Sequence, residues 1–166
     1  YQGFVEPRIV YKQAMIGLSA GYATFQKIAG TVSSPNYSNA LTLSLEGYFV
    51  PIFAIFYFRL PLTANLSVNL GIGGGVMHTS IRYMEDDTFT NNSARYTAWS
   101  AVALAKPEFS YRMGSVVLML STPFYFAESR KVESGSISLV NGGTGKVISP
   151  NLTGVSFSIA VGFQLR

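Results

Sequence analysis

The 166 residues suffice for one domain with a sizeable core, but only 12% are charged and 48% are hydrophobic. An ordinary soluble domain carries about a quarter charged residues, so this chain is poorly equipped to solvate a whole compact surface. The net charge of +4 is scattered, with Arg130 and Lys131 the one adjacent basic pair, which excludes the clustered footprint of a nucleic-acid partner. Zero cysteines and a single histidine, His78, exclude disulfides, thiol chemistry and multi-histidine metal sites; no metal or cofactor is expected.

In chain order, residues 3–11 read as a strand, and a turn near Lys12 and Gln13 leads to a second over 14–29. After the loop "GTVSSPNYSN" a long strand covers 40–60, and "PLTAN" joins it to another at 66–84. There Leu66, Val68, Leu70, Ile72 and Val76 alternate with Ser67, Asn69, Gly71, Gly73 and Gly75. The phase slips near Met77, which predicts a bulge. "DDTFTNNSA" precedes a strand at 94–112 with Trp99, Ala101, Ala103, Ala105, Pro107, Phe109 and Tyr111 outward. A tight turn at Met113-Gly114-Ser115 opens the segment 115–131, in which Val116, Leu118, Leu120, Phe124 and Phe126 share a face. The polar loop "VESGSISLVNGGTGKVISPN" then leads to a last strand at 153–166, "GVSFSIAVGFQLR" closing the chain. The period of two throughout is that of strands with unlike faces.

Connections alternate short and long, all short ones at one end, as in an antiparallel up-and-down meander. "EPRIVYK" (6–12) and "KPEFSYR" (106–112) form a weak internal repeat at that end. Seven strands are legible, whereas bacterial single-chain membrane barrels have an even number. The expected fold is therefore a single all-β domain over 1–166, an antiparallel transmembrane β-barrel of eight strands. Either its first strand lies upstream of Tyr1, the preferred reading, or 40–60 hides a turn near Val50-Pro51.

The polar face consists mostly of Gly, Ser, Ala and Thr, which suit the interior of a small barrel better than a solvent face. The apolar face then meets lipid, with Val155, Phe157, Ile159, Val161 and Phe163 as the lipid-facing set of the last strand. By parity Glu6, Arg8, Lys12, Glu46, Lys106, Glu108 and Arg112 point into the lumen as a mixed-sign charge network. Arg59 breaks that parity and snorkels beside a short turn. A soluble ligand-binding barrel with its apolar face inward is the opposite reading of the same pattern.

"LSVNLGIGGGV" after the turn "FRLPLTAN", together with "VSFSIAVGFQLR", resembles the small bacterial outer-membrane β-barrels of the OmpA, OmpX and OmpW-like group. Members usually end on an aromatic residue, whereas here Gln164, Leu165 and Arg166 follow Phe163. The resemblance implies a bacterial outer-membrane location with long loops extracellular. Its implied partners are outer-membrane lipid, lipopolysaccharide and the barrel-insertion machinery. A non-enzymatic structural or surface-interaction role follows, or a narrow conduit for small molecules.

His78 and Ser80 are two apart on a strand, a geometry in which a base can activate a hydroxyl. The pair is similar to the His-x-Ser of outer-membrane lipid A deacylases, with Glu85 as the implied orienter, although "IRYMEDD" departs from that pattern. "GIGGG" and "GGTGK" fail as phosphate loops, the first lying within a strand and the second lacking the upstream Gly and the Ser or Thr. "EDD" at 85–87 is a candidate cation attractor and reads as a solvated loop.

Overall fold

The computed structural model describes residues 2–32, 41–86, 91–128, 130–131, 133–134, 137–138 and 153–164. The elements are β1 (Gln2–Val5), β2 (Arg8–Tyr11), β3 (Ala14–Val32), β4 (Leu41–Pro61), β5 (Leu66–Asp86) and β6 (Asn91–Met113). They continue with β7 (Val116–Ser121), β8 (Phe124–Ala127), β9 (Glu133–Ser134), β10 (Ile137–Ser138), β11 (Gly154–Val155) and β12 (Ser158–Phe163). Every pairing is antiparallel and joins neighbours in the meander, and no helix occurs among the described residues.

Two pairs of shorter pieces, β1 with β2 and β7 with β8, are collinear, because proline removes one ladder donor without shifting the register. β1 and β2 both face β3 in one register, Val5 opposite Ala20 and Arg8 opposite Gly17. Pro7 between them still accepts from the Leu18 N–H at 3.1 Å. β7 and β8 likewise form one pass along β6, bridged by the Thr122 N–H to the Pro107 carbonyl. Counted as passes, the described sheet has seven, running from β1/β2 to β11/β12. It curls into a half-barrel. Its two edges, β1/β2 and β11/β12, do not pair with each other among the described residues.

Three details differ from the sequence reading, the first being that β9 and β10 pair within the stretch read as a polar loop. β4 is unbroken through Val50 and Pro51, so no turn is hidden there. β5 keeps a single register against both neighbours, and Met77 is a large apolar side chain in phase on the inner face, not a bulge. One register shift falls in β3, between Phe25 and Ile28, and another along β6 between its partners β8 and β9.

The inner face is more apolar than its small residues suggest. Met15, Phe53, Ile55, Tyr57, Met77, Val102 and Leu104 pack into one buried cluster, with Phe49, Tyr125 and Ala127 against it. A second cluster, Ile81 and Ala98 with Phe25, Leu45 and Tyr96, lies nearer the long connections. The outer face is apolar as well: Ile16, Ile52, Phe56, Ile72 and Trp99 are all exposed. Val155, Phe157, Ile159, Val161 and Phe163 share that face, each at least 59% exposed.

The turn-side connections show why they are tight. Lys12 (φ 54°) and Gly114 (φ 63°) supply the left-handed residues that let a strand reverse within two positions.

Candidate functional site

Two chemically distinct groupings stand out: a charge network inside, and a band of rings and charges outside.

The inner network is built by the two halves of the internal repeat. Glu6-Pro7-Arg8 on the first pass and Lys106-Pro107-Glu108 on β6 carry opposite signs at matching places, and the curl of the sheet brings them face to face. The Glu6 carboxylate accepts from Arg8 Nε at 2.6 Å, from the Tyr57 hydroxyl at 2.5 Å and from Lys106 Nζ at 2.7 Å. Glu108 accepts both Arg8 terminal nitrogens, at 2.7 and 2.6 Å, in a fork. Asn69 Nδ2 donates to Glu108 at 2.8 Å and to Ser110 at 3.2 Å, and the Ser110, Ser67 and Arg59 side chains carry the chain of bonds toward the turns. Arg8 also lies over the Tyr57 ring, 4.4 Å from its centroid.

Two carboxylates and two cations cancel formally, and each is withdrawn from solvent: Glu108 is 1% exposed at its side chain, the other three 11–14%. Such charges persist in a dry interior only when paired and hydrogen-bonded. The network ties together strands that are not neighbours in the sheet, fixing its curvature.

Gly71 makes room for it. A Cβ there would come within 2.6 Å of the Tyr57 ring, whose opposite number in the register it is. Gly71→Val is therefore expected to cost about 1–3 kcal/mol through overpacking, read as a lower urea midpoint; an unchanged midpoint would show that Tyr57 has space to spare. At Gly75 the obstacle is the Ile52 backbone carbonyl instead, so the glycine run serves close strand approach.

The other expected network members lie elsewhere. Lys12 occupies the β2–β3 turn, where strand parity does not apply, and sits over the exposed Tyr11 ring at 5.5 Å. Arg112 is on the network's face but at the turn rim, donating to the Ala64 carbonyl at 3.2 Å. Glu46 lies on the outer face, 3.8 Å from Arg82. Arg59, expected to break parity, obeys it and donates inward to Ser67 at 3.1 Å. Both corrections have one cause: β4 is apolar on both faces, and Leu45 marks the inner cluster rather than the outer face. The sequence reading left Tyr57 and Asn69 out of the network; alternation placed Asn69 on the polar face of β5, while nothing marked Tyr57 within its apolar run.

On the outer face Tyr22, Tyr48, His78 and Trp99 form a row across β3, β4, β5 and β6, with centroid separations of 5.5, 6.2 and 4.8 Å. A second aromatic set, including Tyr11, Phe58, Phe109, Tyr111 and Phe163, lies toward the short turns. Between these bands the outer face of β3 to β6 carries no charged side chain. His78 packs between Tyr48 and Trp99, and no hydrogen bond joins it to the 2% exposed Ser80. The side chains of Glu85 and Asp86, and the whole of Asp87, lie outside the described residues. Beyond the row, Glu46, Arg82 and Arg95 line an outer cleft that also includes Tyr22, Thr24 and Ser80.

Comparison with protein-family models, with curated proteins and with solved structures gave no match.

Proposed function

We propose that the chain is a transmembrane β-barrel of a bacterial outer membrane, of the kind represented by the OmpA, OmpX and OmpW-like group, and that it acts without catalysis. Its role is structural or in surface interaction, with short turns periplasmic and long connections outside. The single observation that carries this reading is the uncharged apolar belt between two aromatic bands. From Tyr48 to Phe58 the β4 strand advances ten residues, about 33 Å at ~3.3 Å per residue. At a tilt of about 45° that is roughly 23 Å of height, close to the ~25 Å apolar band of outer-membrane barrels.

Full closure needs one more strand between the β1/β2 and β11/β12 edges, which would make eight. Closure matters because an unpaired strand edge in hydrocarbon leaves its backbone groups unsatisfied. The apolar cluster around Phe53 and Leu104, stacked on the charge network, supports a filled interior rather than a conduit.

The expected behaviour is a requirement for detergent, and a folded band on gels whose mobility changes on boiling. A protein that is monomeric and soluble in plain buffer would contradict the reading.

A further inference from the structure

We infer that the outer cleft beyond the aromatic row binds the phosphorylated sugar headgroup of a glycolipid from the leaflet on that side; the inference rests on the membrane reading above. The register sets Glu46 opposite Arg82 and Arg82 opposite Arg95, side by side across β4, β5 and β6. They share the face of Tyr48, His78 and Trp99, and lie two to four residues further toward the long connections. Aromatic rows of this kind sit at the membrane interface, so the cleft falls at the depth of lipid phosphates.

The charge arrangement is costly without an anion. Like charges directly opposite on neighbouring strands repel. Glu46 answers Arg82 only loosely, at 3.8 Å with both side chains more than 40% exposed. Arg95 makes no ion pair among the described residues. A phosphate between the two guanidinium groups would satisfy both, since each presents a fork matched to phosphate oxygens.

The rest of the cleft suits a sugar. Its volume is about 310 Å³, and Ser80, only 2% exposed, is among the residues that line it. Glu46 accepts from hydroxyl groups, and the half-exposed Tyr22 ring offers a flat surface to a sugar ring. Phosphatidylglycerol offers Glu46 two hydroxyls on a flexible glycerol, whereas a phosphorylated sugar holds several hydroxyls on a rigid ring beside its phosphate, so less freedom is lost on binding both Glu46 and the arginines.

The test is lipid retention by the full-length chain folded in phosphatidylcholine nanodiscs, followed by native mass spectrometry. The probes are bis-phosphorylated lipid A, the same lipid dephosphorylated, and phosphatidylglycerol as competitor. Wild type is expected to retain bis-phosphorylated lipid A at least tenfold better than either the dephosphorylated form or the Arg82→Gln/Arg95→Gln variant. Arg95→Gln alone leaves the Glu46 and Arg82 pair intact and should lose an intermediate share. Equal retention by wild type and the double variant would overturn the inference, and so would equal competition by phosphatidylglycerol. Boiling-dependent gel mobility in phosphatidylcholine alone reports insertion separately. A chain that inserts but does not discriminate refutes only the glycolipid site; one that fails to insert refutes both readings.

Discussion

Glu108→Ala is expected to lower the unfolding free energy by about 3–5 kcal/mol, the cost of leaving two buried cations, Arg8 and Lys106, to share the one carboxylate of Glu6. The substitution removes both acceptors of the Arg8 fork and one partner of Asn69 at a side chain only 1% exposed. Lys106 keeps its bond to Glu6 at 2.7 Å, so the damage centres on Arg8 and Asn69. The diagnostic comparison is Arg8→Met/Glu108→Leu, which removes both charges and retains bulk. Replacing a buried pair by apolar side chains is often neutral, so this double variant should recover most of the loss. Urea unfolding in micelles of wild type, Arg8→Met, Glu108→Leu and the double variant, followed by tryptophan emission, gives the four corners of the cycle. A double-variant loss equal to the sum of the two single losses would mean that the two charges do not depend on each other.

Ile72→Arg is the second large expected effect, and its size depends on what surrounds the outer face. Ile72 is 67% exposed and lies midway along β5 between Leu66 and His78. In a bilayer an arginine at that depth costs about 2–4 kcal/mol. In water a surface substitution away from special features stays within about 0.5 kcal/mol. Leu62→Arg, at a 57% exposed position in the β4–β5 turn, is the control and should be near neutral in either case. Equal, small effects at both positions would remove lipid from the account.

How far the sequence could be read depended on whether the two faces of a strand differed. In the closing stretch "GVSFSIAVGFQLR" large apolar residues alternate with small or polar ones, and the outer set Val155 to Phe163 was legible at once. β5 was legible through its glycines, except that Met77, a large residue on the small-residue side, looked like a change of phase. β4 was not legible, because 52–58 is apolar on both sides and parity there has nothing to choose between. That ambiguity misdirected both Glu46 and Arg59.

The network was half legible for a different reason. Polar residues facing inward can be read from alternation, but which of them meet is decided by the curl of the sheet. Glu6 and Lys106 are 100 residues apart and touch only because the first pass and β6 face one another across the interior. Tyr57 was hidden altogether, since an aromatic in an apolar run carries no mark of its hydroxyl's partner. The pairing of Arg82 with Arg95 across β5 and β6 likewise needs the register, which composition does not contain.

The most direct measurement uses the one tryptophan in the chain, Trp99. It is 58% exposed on the outer face, at the end of the row running from Tyr22 through His78. With the chain folded in vesicles of phosphatidylcholine brominated at defined acyl positions, the account predicts strong quenching. It should be greatest for bromines nearest the headgroup and weaker toward the bilayer centre, with little quenching by aqueous iodide. Emission untouched by brominated lipid at every depth, and quenched by iodide as a water-exposed indole is, would contradict the assignment of the outer face to lipid.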